Sequence, residues 1–223
     1  MKIVNGQMIP DDLSLSELEM MMRSADMETF VSACEALRQL HTQNAYDVLK
    51  KYISCADLYK KRYVLSVIFD FDCAIELVPE LENALQSDEQ FLITTALDHI
   101  IQGEIRVADE QLFACIEKNR KKLSAYYYRV LGCVDKTKEN LERILELYHT
   151  STDSSIKTAI AECLYTFCNA DNYLRLFHLF ENSTNPQIRI IACRITKDYA
   201  QSDLLEKFKQ DPNGHIRKLA LSK

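Results

Sequence analysis

The sequence is poor in residues that interrupt regular structure: its 223 residues include only 4 glycines, 4 prolines and no tryptophan. Turn-rich sandwiches and barrels need many glycines and prolines, so their scarcity argues against those folds and favours helices joined by short connections. The apolar fraction of 47% and the charged fraction of 27% are ordinary for a folded soluble protein. We therefore expect an all-α protein with a conventional apolar core.

The sequence also lacks long apolar runs and a secretion signal. Its longest apolar run, from Tyr63 to Phe69, is far shorter than the roughly 20 residues that cross a bilayer. The first residues contain no sustained apolar stretch of the signal-peptide kind. The 8 cysteines include no CxxC pair, and Cys34, Cys133 and Cys163 fall in predicted helices, where a reduced thiol packs as a small apolar group. The sequence predicts a cytoplasmic protein without membrane contact.

A short phrase recurs about every 30 residues along the chain. It consists of a polar capping residue, one or two further polar residues, an apolar residue, often a base, and then a small residue. Its clearest copies begin at Asn185 and Asp211, with a looser copy at Asp153. The apolar position recurs near residues 30, 63, 91, 123, 156, 188 and 216. A fixed period of this length indicates stacked repeats, each of which contacts only its neighbours.

Apolar residues also recur at helical spacing within each repeat. Leu141, Ile144, Leu145 and Tyr148, for example, form one stripe of a 3.6-residue helix. Helices of about 12 residues are marginal alone in water, so these are expected to fold only when stacked. The predicted helix pairs are 13–23 with 26–40, 43–55 with 57–70, 74–86 with 88–102, 108–119 with 121–133, 136–149 with 153–168, 170–182 with 185–199, and 202–209 with 213–222.

Capping residues precede several of the predicted second helices. They are Asp88, Asp153, Asn185 and Asp211. Their side chains can accept hydrogen bonds from free helix amides and oppose the positive end of the helix. Pro186 and Pro212 follow two of these caps, at the first helical position, where a missing N–H is harmless.

These residues resemble the HEAT-repeat family. Residues 78–97 match a full unit, with Pro79 in the first helix and a capped second helix, and the Ile188-Arg189 and Ile216-Arg217 steps are similar to the family's apolar-arginine step. The resemblance implies a right-handed α-α superhelix, a HEAT-like solenoid of about seven helix pairs, as a single domain over residues 1–223 with an N-terminal arm at 1–12. The first two units lack the arginine, and an armadillo-like or other paired-helix solenoid is the alternative for them.

Catalysis finds little support in the sequence. The five histidines are scattered, and HExxH, GxSxG, a glycine-rich phosphate loop and metal-ligand spacings are absent. HEAT-like enzymes are a third hypothesis, but one such family removes alkylated bases with groove tryptophans that this chain lacks, and no residue matches the family that attaches bilin pigments. We expect no enzymatic activity, no metal and no cofactor.

Basic residues in the later second helices are the stronger functional signal. Segments 120–134, 153–168, 185–199 and 213–223 contain 11 Lys/Arg against 3 Asp/Glu. The resemblance places second helices on the concave face. Tyr and Arg are also frequent interface hot spots, and three successive tyrosines at 126–128 cannot all be buried in one stripe. The predicted partner-binding residues are Tyr128, Arg129, Lys157, Tyr165, Arg189, Arg194 and Lys197.

Structural alternatives stand beside these assignments. Arg189 and Arg217 pair with capping carboxylates of adjacent units if the chain follows the family's ladder, and the tyrosines pack between units if their hydroxyls are hydrogen-bonded. The favoured function is a scaffold that holds a protein or peptide partner in the groove. Nucleic acid is the weaker alternative, because the whole chain has a net charge of −6. A second copy, bound through the C-terminal helix, is a further candidate partner.

Overall fold

The structure is a computed structural model that describes residues 2–4, 7–9, 13–103 and 105–222. The contacts within the chain divide it into two compact units, Met1–Gln111 and Leu112–Lys223, which we call unit 1 and unit 2. Each is described by itself. A single domain over residues 1–223 therefore stays a prediction.

Unit 1 begins with a short β-hairpin that the sequence analysis did not predict. Strand β1 (Lys2–Val4) pairs with β2 (Gln7–Ile9) in antiparallel register, with Lys2 opposite Ile9 and Val4 opposite Gln7. Residues 1, 5, 6 and 10–12 of the predicted N-terminal arm lie outside the described residues.

Helix pairs form the rest of unit 1. The helices are α1 (Leu15–Met22), α2 (Met27–Leu40), α3 (Gln43–Lys50), α4 (Leu58–Ile68), α5 (Val78–Gln86) and α6 (Gln90–Ile101), with a 3-10 helix at Asp72–Leu77 before α5. The members of each pair, α1 with α2, α3 with α4 and α5 with α6, pack together. The second helices α2, α4 and α6 also contact one another in that order, so they form one row.

Unit 2 repeats this arrangement. Helix α7 (Asp109–Asn119) spans the boundary between the units, and a 3-10 helix at Ala125–Gly132 follows it. The remaining helices are α8 (Lys138–Thr150), α9 (Ser154–Thr166), α10 (Tyr173–Phe180), α11 (Pro186–Asp198), α12 (Ser202–Glu206) and α13 (Gly214–Leu221), with a 3-10 helix at Lys207–Gln210. The row of second helices consists of the 3-10 helix at 125–132, α9, α11 and α13, each contacting the next.

The observed helices confirm the predicted all-α fold, and contacts are seen within the predicted helix pairs other than 108–119 with 121–133. Three of the predicted helices, 74–86, 121–133 and 202–209, are partly 3-10 helix. The segment 121–133 was predicted as a helix, and its regular part is the 3-10 helix Ala125–Gly132. Aromatic residues favour an α-helix less than Leu or Glu do. A 3-10 helix has three residues per turn, so the buried Tyr128 and Leu131 lie on one side of it.

Two of the predicted caps are confirmed. The Asp153 carboxylate accepts hydrogen bonds from the backbone amides of Ser155 (2.8 Å) and Ile156 (2.9 Å). The Asn185 side chain accepts from the amide of Gln187 at 2.9 Å, and Pro186 is the first residue of α11. Both helices therefore start where the sequence pattern placed them.

The other two caps were assigned wrongly, each by one or two residues. The residue before α6 is Glu89 rather than Asp88, and α13 is capped by Asn213 rather than Asp211. Because α13 begins at Gly214, Pro212 precedes the cap and is not in the helix. Asp211 does not cap α13 and instead takes part in an ion pair described below.

The apolar stripes form the core, and the thiols belong to it. Cys34, Cys163 and Cys193 are buried, whereas Cys133 is half-buried, and all of the chain's cysteines are free thiols. Burial raises the pKa of Cys163 to about 12 and that of Cys193 to about 11. These cysteines therefore remain protonated at neutral pH and pack as small apolar groups, as predicted.

Polar contacts between neighbouring repeats follow the sequence period. In unit 1 the Tyr46 hydroxyl donates to Glu76, 30 residues later, at 2.6 Å. In unit 2 the Arg175 guanidinium donates to Glu142, 33 residues earlier, at 2.8 Å. The repeat of about 30 residues thus brings equivalent positions of adjacent helix pairs into contact.

Candidate binding surface

The row of second helices in unit 2 leaves a line of polar side chains exposed or half-buried. The inner faces of α9 and α11 are occupied by buried apolar residues, and the residues that remain outside recur every three or four positions. We call this line the second-helix strip; its residues are Arg129, Glu162, Tyr165, Arg194 and Asp198.

Two contacts join the second-helix strip from one helix to the next. Arg129 forms an ion pair with Glu162 of α9, with the guanidinium and carboxylate 3.6 Å apart. The Tyr165 hydroxyl donates a hydrogen bond to the Asp198 carboxylate of α11. Each pair is separated by 33 residues in sequence. The strip is therefore held together by side chains at equivalent positions of successive repeats.

Tyr165 titrates unusually late in this setting. Partial burial, the hydrogen bond to the Asp198 carboxylate and the charge of that carboxylate together raise the pKa of the Tyr165 hydroxyl to about 12, while Arg194 opposes the shift. The phenol thus remains a neutral donor at physiological pH. The strip offers a partner a fixed carboxylate next to an aromatic edge.

Arg194 is the exposed cation of the second-helix strip. It lies on α11 one turn before Asp198, and within the part of the chain that the structure describes it forms no ion pair or hydrogen bond. Its charge reaches Tyr165 of the neighbouring helix. Arg194 is the predicted site residue whose guanidinium remains available to a partner.

Arg189, a predicted partner-binding residue, makes structural contacts within unit 2. Its guanidinium donates two hydrogen bonds to Asp211, at 2.8 and 3.0 Å, and a third to the carbonyl of Ser183 at 2.8 Å. Side-chain exposure is only 14% for Arg189 and 6% for Asp211. Hydrogen bonds from Arg189 hold the pKa of Asp211 below its usual range. The structural alternative from the sequence is therefore the correct one for Arg189.

Arg217 continues this pattern one repeat later. Its guanidinium donates to the carbonyls of Asp211 (2.6 Å) and Pro212 (3.0 Å), the two residues before the cap of α13. It thus fastens the loop that carries the Asp211 carboxylate. The two arginines of the repeated phrase bind the loops between helices rather than solvent-facing ligands.

Lys197 and Lys157 are also engaged within unit 2. The Lys197 ammonium donates to the backbone carbonyl of Ser222 at 2.9 Å and to its hydroxyl at 2.8 Å, just beyond the end of α13. The Lys157 ammonium lies 5.4 Å from the centre of the Tyr148 ring. Both lysines are half-buried. Lys197 stabilises the end of α13, and partner binding by either lysine stays a prediction.

Tyr128, a predicted partner-binding residue, lies in the core of unit 2. Its side chain is buried, and its hydroxyl donates to the carbonyl of Arg120 at 3.1 Å. The tyrosine of the run that reaches the surface is Tyr126, which is 42% exposed. The 3-10 geometry places Tyr128 on the packed side with Leu131.

Charge is distributed unevenly between the two units. Unit 1 contains 9 Lys/Arg and 20 Asp/Glu, a formal charge of −11, whereas unit 2 contains 18 and 13, a formal charge of +5. The net charge of −6 is thus the sum of two units whose formal charges have opposite signs. The bases of the later second helices are apparent in the sequence, whereas the opposite charges of the two units require the boundary at residue 111.

Two open clefts lie on the first-helix side of unit 2. One, of about 370 Å³, is lined by residues of α8 and α10 that include Lys138, Glu142 and Arg175. The other, of about 380 Å³, is lined by Arg120, Arg143 and two glutamates. Both clefts are lined by cationic side chains together with carboxylates.

Neither metal ligands nor a membrane segment is apparent in the described chain. The residues that the structure describes contain no group of three or more His, Cys, Asp or Glu side chains placed to hold a metal ion. None of the described helices combines the length and the apolar character needed to cross a bilayer.

Comparison with known structures places the chain among helical repeat solenoids. An engineered protein is similar over 95% of this chain and 67% of its own length, with a TM-score of 0.53 and 17% identity. The complex of CpcE and CpcF of phycocyanin lyase from Nostoc is similar over 99% of this chain and 90% of that chain, with a TM-score of 0.55 and 14% identity. No protein-family model matches the sequence. A search of curated proteins likewise found no match. The fold is a HEAT-like α-solenoid, as predicted.

Proposed function

We propose that this protein is a non-enzymatic scaffold that binds a protein or peptide partner on the second-helix strip of unit 2. The observation that carries the proposal is the exposed Arg194, which stands beside Tyr165 and Asp198 on a framework of repeat-to-repeat contacts. Tyr and Arg side chains supply much of the binding energy in protein interfaces. Because Tyr165 and Asp198 are already ordered, a partner loses little entropy in fixing them.

The alternation of charge along the strip favours a protein over a nucleic acid. Glu162 stands next to Arg129, and Asp198 lies one turn from Arg194. A phosphate backbone would meet a carboxylate beside each of these cations, whereas a peptide can match both signs. The net charge of +5 on unit 2 is the observation that keeps nucleic acid as the alternative.

The thiols and the comparison also support a binding role. Burial raises the pKa of Cys115 to about 11 and that of Cys163 to about 12, so neither supplies a thiolate nucleophile at neutral pH. The Nostoc structure is a complex of two proteins, which supports a protein partner for this fold. The lyase activity in its name belongs to that protein, since likeness at this identity concerns the fold alone.

A displayed peptide library provides the first test. Peptides selected on the immobilised full chain would be synthesised, labelled and titrated by fluorescence anisotropy against wild type and Arg194→Glu. The matched control is Lys138→Glu, which reverses an exposed charge on α8 outside the strip. We expect Arg194→Glu to weaken binding about tenfold or more, as for an interface hot spot, and Lys138→Glu to change it less than about twofold.

Labelled single- and double-stranded oligonucleotides would be titrated in parallel at low and moderate salt. Peptides that bind both variants equally well, or no selected peptide at all, would refute the proposed surface. Oligonucleotide binding that weakens steeply with salt and is lost in Arg194→Glu would replace the peptide partner by nucleic acid. Circular dichroism of each variant checks that the helices are intact.

A further inference from the structure

An exposed aromatic ring marks the second helices of unit 1. Tyr59, the second residue of α4, is 66% exposed. One face of its ring stacks on Phe91 of α6, with the ring centres 5.6 Å apart and the planes inclined by only 8°. The other face is open to solvent. Stacking thus fixes the orientation of a large ring that the core does not bury.

Two rings of unit 1 already bind cations that follow Tyr59 in the sequence. The Lys60 ammonium lies 4.9 Å from the centre of the Phe30 ring, and the Arg62 guanidinium lies 5.8 Å from the centre of the Phe91 ring. Among the described residues no cation covers the Tyr59 ring. Since cations bind the faces of Tyr and Phe rings by the same electrostatic attraction, the open face of Tyr59 is a third position of this kind.

A carboxylate occupies the equivalent position of the neighbouring second helix. Helix α4 packs between α2 and α6, and Phe91 of α6 stacks on one face of the Tyr59 ring. Glu28 is the second residue of α2, the position equivalent to Tyr59 in α4. Asp57, which caps α4 by accepting from the amides of Tyr59 and Lys60, adds a second negative charge.

The bases that follow Tyr59 are engaged within unit 1. The Lys60 ammonium donates to the carbonyl of Ser24 at 2.6 Å, and Lys61 lies 4.0 Å from Glu80. Arg62 covers Phe91. Unit 1 as a whole is strongly acidic, with a formal charge of −11, so a basic partner is attracted to it.

We propose that Tyr59, with Glu28 and Asp57, forms a docking surface that binds a lysine or arginine side chain of a basic peptide segment. The cation lies on the open face of the Tyr59 ring and is balanced by the two carboxylates. Leu58, which is 39% exposed beside it, offers an apolar contact for the aliphatic part of such a side chain. This surface lies in unit 1 and does not depend on the second-helix strip of unit 2.

The test uses the full chain and short labelled peptides in which alanine alternates with arginine, with glutamate or with glutamine. Fluorescence anisotropy measures the affinity of each for wild type, Tyr59→Ala, Tyr59→Phe and Glu28→Gln. Asp47→Asn is the matched control, since it removes one exposed carboxylate of α3 away from the ring. Arg194→Glu in unit 2 separates this surface from the proposed function.

Of the three peptides, we expect only the arginine peptide to bind. Its affinity should be about threefold to fivefold lower for Tyr59→Ala than for wild type, and nearly unchanged for Tyr59→Phe, which keeps the ring. Glu28→Gln should weaken binding of the arginine peptide more than Asp47→Asn does, and Arg194→Glu should not weaken this binding. Equal losses in Glu28→Gln and Asp47→Asn, with none in Tyr59→Ala, would indicate diffuse attraction to acidic surface and overturn the proposal. Preference for the glutamate or glutamine peptide would overturn it as well.

Discussion

The second helices of unit 1 and unit 2 share a frame but expose different side chains. In unit 1 the second residues of the second helices are acidic or aromatic: Glu28, Tyr59 and Phe91. In α9, α11 and α13 of unit 2 none of them is acidic: they are Ser155, Gln187 and His215. The packing stripe is apolar in every case. The repeat pattern thus constrains the residues that are buried, whereas the residues at outward positions vary independently of the fold.

The ion pairs between repeats differ in the same way. Arg189 and Asp211 in unit 2 are largely buried and joined by two hydrogen bonds. In unit 1 Arg38 and Asp70 are 3.2 Å apart, but both are more than one-third exposed. Solvent screens an exposed pair and removes most of its contribution to stability. The Arg189–Asp211 pair therefore contributes more to stability than the Arg38–Asp70 pair does.

The largest expected effect separates the two units by their cores. Phe177→Ala in α10 and Phe30→Ala in α2 each remove a fully packed ring and should lower the free energy of unfolding by about 3–5 kcal/mol. Urea denaturation measures the change in the free energy of unfolding of the whole chain. Because repeats contact mainly their neighbours, hydrogen exchange should show the greatest loss of protection in the mutated unit. If Phe177→Ala reduced hydrogen-exchange protection equally in α2 and α11, the predicted difference between the units would be wrong.

The second prediction contrasts the buried and the exposed ion pair. Asp211→Ala leaves the Arg189 guanidinium without its carboxylate and should cost about 2–3 kcal/mol. Asp70→Ala removes the matching carboxylate of unit 1 and should cost less than about 1 kcal/mol. Both values come from urea denaturation. If the two costs were equal, burial would not be the reason for the difference.

Acidification should weaken the ion pair of unit 2. The pKa of Asp211 is lowered by its hydrogen bonds with Arg189, so the stabilisation is complete above the ordinary carboxyl pKa of about 4 and is lost as the pH falls through the lower pKa of the folded state. The difference in unfolding free energy between wild type and Asp211→Asn should therefore shrink below about pH 4. Denaturation at a series of pH values checks this, and a constant difference would contradict it.

The smallest expected effect compares two buried tyrosine hydroxyls. Tyr46 in unit 1 donates to the charged Glu76, whereas Tyr128 in unit 2 donates to the neutral carbonyl of Arg120. Tyr46→Phe should cost about 1.5–2 kcal/mol and Tyr128→Phe about 1 kcal/mol, because hydrogen bonds to charged groups are stronger. Thermal or urea denaturation gives both values. The reverse order would show that the charge of the acceptor does not decide the cost.

Local signals made much of the fold predictable, and their errors are local too. The cap at Asp153 was recognised because a side chain within three residues satisfies the helix amides. The shift from Asp211 to Asn213 arose because both residues can cap, and only the partner of Asp211, Arg189, separates them. The hairpin was missed although the sequence between its strands is Asn5-Gly6, the pair that two-residue hairpin turns favour.

The candidate site was less predictable, because exposure depends on residues about one repeat away. Arg189 and Arg194 lie on the same helix and look equivalent in sequence, yet Asp211 engages one and the other remains in solvent. The sequence predicted that the tyrosines at 126–128 cannot all be buried, but only the 3-10 helix shows that Tyr126 is exposed and Tyr128 buried. The charge difference between the units was visible in the sequence, but it acquired meaning only when the boundary at residue 111 was known.

The sequence by itself determined that this chain is a stack of helix pairs, and where most of those helices begin. Period, apolar spacing and capping are short-range properties, since each acts within one or two helical turns. The tertiary structure alone decided which side chains of Tyr128, Arg189 and Arg194 reach solvent. That choice depends on partners such as Asp211, 22 residues from Arg189, and no pattern within a single helix specifies them.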